Sequence, residues 1–256
     1  MIRLGHRTFL MRWARMGGLL PGLLLLACDW MPGKPDPAHQ HVRPEAVVDY
    51  ESLYRANCAG CHGRDGQAGP ATPLGDPLYQ AWAPADAILD HIRLGVPNTA
   101  MPAFAEQAGG NLTERQITVL VEGLKSRHAR TGTGRDLPAY RATGDGDTRR
   151  GAEVFATFCA ECHGTGGKGA KFGSVVEDSY LALVSKQGLR TTVVVGRPDL
   201  GMPSYQGYAQ RAMNPDEIQD VVAWLWAQRV EFPGRVPVKA EGHASGSLRG
   251  SLEGEP

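Results

Sequence analysis

Cysteine and histidine occur twice in the same five-residue arrangement, Cys58-Ala59-Gly60-Cys61-His62 and Cys159-Ala160-Glu161-Cys162-His163. Two thiols one helical turn apart can each form a thioether to one vinyl group of a haem. The histidine that follows is then placed to ligate the iron. This is the attachment spacing for c-type haem, and two copies imply two covalently bound haem c groups. A Cys-X-X-Cys pair can also hold zinc or act as a thioredoxin-like redox site. The immediate histidine in both copies favours haem.

The five cysteines of the chain are all accounted for, four in these motifs and the fifth as Cys28. No pair is left for a structural disulfide. The chain carries 27 basic and 27 acidic residues, which argues against a nucleic-acid binder. Four of the basic residues, Arg3, Arg7, Arg12 and Arg15, precede Cys28, so the remainder is mildly acidic.

Those arginines form a positive region before the short apolar stretch Met16 to Ala27. That stretch is shorter than the roughly 20 residues a membrane span requires, and it reads as the core of a signal peptide over residues 1–27. It ends Leu25-Leu26-Ala27-Cys28, which resembles a bacterial lipoprotein signal. The resemblance implies cleavage before Cys28, lipid on its thiol and, with Asp29 next, retention on the periplasmic side of the inner membrane. More than one acyl chain gives stable anchoring. Residues 28–45 contain Pro32, Pro35, Pro37 and Pro44 and read as a semi-rigid tether.

The motifs are the visible part of a longer repeat. An offset of 101 aligns residues 50–125 with 151–226 without a gap. Tyr79 falls on Tyr180, Gly95 on Gly196, Met101-Pro102 on Met202-Pro203, Ile117 on Ile218 and Leu124 on Leu225. A period this long suits a duplicated small domain rather than a solenoid unit. Each copy should begin with an amphipathic helix entering the haem motif, marked by Val47, Leu53 and Tyr54, then by Val154, Phe155 and Phe158. Each should end in a capped helix, at Thr113 with Gln116 and at Asn214 with Glu217. Middle helices are expected near 85–94 and 186–195, although the β-branched run Thr191 to Val195 favours a strand locally. The fold class is therefore all-α, with domains at 46–128 and 147–232, a linker at 129–146 and a disordered tail at 233–256.

This arrangement resembles the class I cytochrome c fold. In that family a glycine eight residues before the first haem cysteine lets the terminal helices cross closely. The second copy has Gly151, facing Trp224. The first has Tyr50 instead, and its last helix carries Gly123. Tyr50 is expected to pack over Gly123 as Trp224 packs over Gly151.

The resemblance also implies a methionine as the second axial ligand, on a loop before the last helix. Met101 and Met202 each lie 39 residues after their haem histidine. The expected metal ligands are therefore His62, Met101, His163 and Met202, with Cys58, Cys61, Cys159 and Cys162 attaching the haems. A proline-bearing loop often accepts a hydrogen bond from the haem histidine in this family, and Pro70 or Pro73 would mark it in the first copy. Lys171 and Ser174 stand there in the second. Met213 is read as packing. His91, His128 and His243 are read as solvated or hydrogen-bonded, and His39 and His41 lie in the tether.

Methionine ligation raises the potential and fills both axial positions, so no catalytic residue and no small-molecule substrate are expected. The leading function is single-electron transfer between a quinol-oxidising complex and a terminal oxidase or reductase. An alternative is a fixed haem subunit of a larger membrane oxidoreductase. A dihaem peroxidase would need an open iron position, which the two methionines oppose.

Overall fold

The computed structural model describes residues 33, 36, 41–128, 137–207, 211–230 and 233. Cys28, the expected signal segment, nearly all of the expected tail, His39 and His243 lie outside them. Residues up to Val47 form one compact unit and those from Val48 another. In the first, a 3-10 turn spans Pro44–Ala46.

The second unit contains both copies. The first runs α1 (Tyr50–Asn57), α2 (Ala59–His62), α3 (Pro77–Trp82), α4 (Ala85–Leu94) and α5 (Glu114–His128). The second repeats this order as α6 (Thr148–Phe158), α7 (Ala160–His163), α8 (Asp178–Ala182), α9 (Lys186–Val195) and α10 (Pro215–Ala227). Among the described residues the only strand-like pairings are two isolated bridges.

Side-chain caps set several helix starts. Asp49 accepts the Ser52 amide before α1 at 2.9 Å, so Val47, expected within this helix, belongs to the preceding turn instead. Asp147 accepts the amides of Arg149 and Arg150 before α6. The box before α10 is complete, with Asn214 accepting the Glu217 amide and Glu217 accepting the Asn214 amide, both at 2.9 Å. Thr113 and Gln116 exchange the same pair of bonds before α5, at 3.0 and 3.3 Å. Each cap satisfies amides that the first helical turn leaves without partners.

The β-branched run in α9 is helical. Thr191 and Thr192 donate their hydroxyls back to the carbonyls of Gln187 and Gly188, and Val193, Val194 and Val195 are buried. Packing outweighs a strand preference that amounts to a few tenths of a kcal/mol per residue.

The cores match in register. Ile117, Leu120 and Leu124 of α5 correspond to Ile218, Val221 and Leu225 of α10, and all six are buried. The first and last helices of each copy cross at a glycine, on opposite partners. A Cβ on Gly123 would lie 2.0 Å from the Tyr50 ring. A Cβ on Gly151 would lie 2.1 Å from the Asp220 carbonyl oxygen and 2.7 Å from the Trp224 Cβ. The Trp224 ring continues onto Phe155, with centroids 4.5 Å apart.

Asp220 closes the second crossing. Its buried carboxylate accepts the Asp147 amide at 2.6 Å and Arg150 Nε at 2.7 Å. The bonds from Arg150, outweighing the effect of burial, hold this carboxyl below the usual carboxylate range.

The linker's described half is a docked strap. Trp82 Nε1 of the first copy donates to the Pro138 carbonyl at 2.6 Å, and the Trp82 ring meets Tyr140 edge-on. From the second copy, Gln187 and Arg190 donate to the Tyr140 carbonyl, and Arg190 also to that of Ala139. Residues 138–140, within the expected linker at 129–146, are bonded to both copies, because the buried Trp82 and Arg190 need acceptors.

Candidate haem sites

Each Cys-X-X-Cys-His motif straddles a junction between helices. Cys58 ends α1 and begins α2, and Cys159 does the same between α6 and α7. The two cysteines share nearly the same backbone, with φ of −115° and −122°. Burial pushes the thiols of Cys58 and Cys159 up to about 12. Among the described residues none of the four motif cysteines is held in a disulfide.

The histidines differ. His62 Nδ1 lies 2.8 Å from the Thr72 carbonyl oxygen. A carbonyl only accepts, so Nδ1 carries the hydrogen and Nε2 is left as the ligating nitrogen. Thr72 lies between Pro70 and Pro73, on the loop expected from the sequence. Its counterpart is Gly173, and there His163 Nδ1 is buried with no hydrogen-bond partner among the described residues. Burial lowers the affinity of both rings for a second proton. The Gly173 backbone opposes this at His163 without forming a bond of normal geometry.

The methionine loops are small hairpins. In the first, the Val96 amide donates to the Met101 carbonyl at 3.0 Å, and the Thr99 hydroxyl bonds both the Val96 carbonyl and the Met101 amide. In the second, Arg197 and Met202 exchange both backbone bonds at 2.9 Å. Gly95 and Gly196 precede them at φ of 67° and 75°. A Cβ at these positions would meet the returning chain at 2.6 and 2.4 Å, so the close hairpin requires glycine.

One continuous cavity of about 740 Å³ joins these parts. Its wall contains Cys58, Cys61, His62 and Met101 of the first copy and Cys159, Cys162, His163 and Met202 of the second. All eight residues expected at the haems line it, while Cys28, the expected lipidation site, lies outside the described residues. The rest of the wall is mainly apolar, including Leu74, Ile88, Phe104, Leu120, Val193 and Met213. Met213 is buried, as a packing residue would be. His91 is also on the wall, half-buried rather than solvated.

Two features of this site were not read from the sequence. One is Arg197 with Asp199, whose side chains are 13% and 4% exposed and 2.8 Å apart. The other is the Ala68–Gly69 turn that they hold. The available signal was a break in the repeat, since Val96 and Asn98 stand opposite Arg197 and Asp199, and Gly169 opposite Ala68.

The residues present fit two covalently held haems. Cysteine side chains at attachment spacing, an imidazole beside each pair and apolar walls meet in one cleft. The fold and its paired sites define a class I cytochrome c with two tandem domains. The family described as "Cytochrome C oxidase, cbb3-type, subunit III" matches residues 45–122 and again 146–225. The chain belongs to this family, and it carries two covalently bound c-type haems.

Among its relatives is the cbb3-type cytochrome c oxidase subunit FixPc of Rhizobium leguminosarum bv. viciae. It is 32% identical over 137 residues, covering 50% of this chain and 42% of the relative. The cbb3-type cytochrome c oxidase subunit CcoP of Azospirillum sp. (strain B510) is 28% identical over 137 residues, covering 49% and 42%. The chain thus spans less than half the length of these two relatives. A chain of the Kuenenia stuttgartiensis reducing HAO-like protein complex is also similar, at 19% identity and a TM-score of 0.42, covering 74% of this chain and 98% of that one.

Proposed function

We propose that this chain is the dihaem cytochrome subunit of a membrane-bound terminal oxidase, relaying single electrons inside the complex. The observation that carries this reading is the tandem family match, with relatives that are themselves oxidase subunits. It replaces the membrane-anchored electron carrier as the leading function. The membrane-anchored carrier outside such a complex remains the second reading; among the described residues no helix is long and apolar enough to cross a membrane.

Each haem supplies a one-electron iron couple. The chain's residues bind and tune it. Cys58 with Cys61, and Cys159 with Cys162, attach the two groups. His62 and Met101 would hold the first iron, and His163 and Met202 the second. The soft thioether favours reduced iron and raises the potential. Held by a histidine and a methionine each, the irons would be suited to outer-sphere transfer and not to binding oxygen or peroxide. The apolar wall excludes water and limits reorganisation around the iron.

Residues 1–27 are proposed as a lipoprotein signal and Cys28 as its lipidated cysteine, which places the chain at the periplasmic side of the inner membrane. Upstream, a quinol-oxidising complex would supply the electrons. Purification from membranes in mild detergent and high salt tests the assignment. Co-elution with haem-copper oxidase activity is expected. Elution of the dihaem protein alone would favour the membrane-anchored carrier. Mass spectrometry of the mature N-terminus tests the lipid.

A further inference from the structure

The two copies touch at a contact that the repeat itself does not provide. Arg197, at the base of the Met202 hairpin, donates through Nη2 to the Gly69 carbonyl of the first copy at 2.6 Å. The same guanidinium bonds Asp199 at 3.0 and 2.8 Å. Asp199 in turn accepts the Ala68 amide at 2.7 Å. Ala68 has a φ of 59°, in the left-handed region that alanine disfavours. Its counterpart is a glycine, Gly169, with a φ of 106°. The first copy has thus kept a Cβ where the second has none, and its turn is held by a carboxylate from the other domain.

The held turn lies against the first haem motif. A Cβ on Gly69 would meet the Cys61 carbonyl oxygen at 2.4 Å and the His62 carbonyl carbon at 2.6 Å. The Ala71 amide donates to the Cys61 carbonyl at 2.9 Å. The chain of contacts therefore runs from the backbone beside Cys61 and His62, through Ala68–Gly69 and the buried ion pair, to the hairpin carrying Met202. No such pair can form from the first copy, where Val96 and Asn98 occupy these positions.

We propose that Arg197 and Asp199 form an interdomain latch that fixes the second methionine loop against the first haem motif, and so positions the two haem sites to exchange electrons with each other. The latch rests on the dihaem reading above. In the exchange one iron is oxidised and the other reduced by the same electron, with no proton or further reactant. Arg197 and Asp199 are positioning residues. Their buried charges also bear on both irons. A carboxylate left alone stabilises oxidised iron, and a guanidinium left alone stabilises reduced iron.

The test uses the full-length holoprotein with Arg197→Gln, Asp199→Asn and Arg197→Lys. Pulse reduction followed by absorbance measures re-equilibration between the haems, and spectroelectrochemical titration measures both midpoint potentials. Exchange should slow about tenfold in Arg197→Gln and in Asp199→Asn, and return towards wild type in Arg197→Lys. The sum of the two potentials should fall in Arg197→Gln and rise in Asp199→Asn. Unchanged exchange in both variants, or potential shifts of the same sign, overturns the latch. Loss of the second haem's methionine signature in either variant also overturns it, reducing the pair to local support of one loop. If Asp199→Asn folds poorly, Ala68→Gly with Asp199→Asn relieves the strained turn and is read identically. A wild-type protein without two haem signals or without methionine ligation would instead sink the dihaem His/Met reading, independently of the variants.

Discussion

Tyr50 lies over Gly123 so closely that a Cβ on the glycine would sit 2.0 Å from the ring. In the second copy the glycine is Gly151, on the first helix, and the bulk is Trp224, on the last. Both solutions bring two helices together where two large side chains would not fit. The first adds a cation over the aromatic face, with the Arg127 guanidinium 4.6 Å from the Tyr50 centroid and 2.6 Å from Glu51.

Gly123→Ala should therefore destabilise the first domain, although alanine is the better helix former by about 1 kcal/mol. Overpacking costs about 1–3 kcal/mol, so the net loss is up to about 2 kcal/mol. Denaturant unfolding of the holoprotein followed at the haem band measures it. Combining the change with Tyr50→Ala should cost less than the two single losses added together, since the clash is gone. Strict additivity would mean that the ring does not limit the crossing.

The methionine assignment is separable by copy. Met101→Leu and Met202→Leu should each remove the methionine-ligation absorption signature from one haem, lower that haem's potential and leave the other in place. Loss of both signatures in one variant, or of neither, would contradict one methionine per iron. Room-temperature absorption and redox titration of the two proteins decide it.

Acid should act on the second domain through Asp220. Its hydrogen-bonded pairing with Arg150 depresses the folded-state value. The stability it contributes is complete above the unfolded carboxylate value of about 3.9, and is lost as pH falls through the lower folded value. Asp199 is depressed in the same direction by Arg197. Unfolding free energy measured from pH 6 downward should fall below about pH 4, and Asp220→Asn should flatten that dependence while lowering stability at pH 6. An unchanged acid limb in Asp220→Asn would rule out this carboxylate as its source.

Ala68→Gly should be neutral or stabilising by up to about 1 kcal/mol, against the usual cost of a new glycine. The native φ of 59° suits glycine better than alanine. Thermal unfolding of the holoprotein measures the sign, and a clear loss would show that the Cβ has a packing role.

The repeat made much of this architecture readable. Helix positions, caps and the matched cores follow from periodicity and capping residues, because these depend on neighbours a few residues apart. The middle helix at Lys186–Val195 contradicts local preference at Thr191 to Val195. It was legible only through its better-behaved copy at Ala85–Leu94. Thr72 as the acceptor for His62 was bracketed by Pro70 and Pro73. The lack of a bonded partner at His163 among the described residues could not be inferred, since Thr72 and Gly173 both carry a backbone carbonyl at the same place in the repeat.

By itself, the sequence determined the chemistry. Thiol spacing and the adjacent histidine specify covalent haem, and an ungapped offset of 101 specifies two domains. Both are properties of order along the chain. Only the tertiary structure decided how the two copies meet. Arg197 reaches Gly69 across 128 positions, and Trp82 reaches Pro138 across 56. Such contacts depend on where two already folded surfaces come together and on which buried donors still need acceptors. No local pattern records that, so the common cavity and the ion pair beside it became visible only in three dimensions.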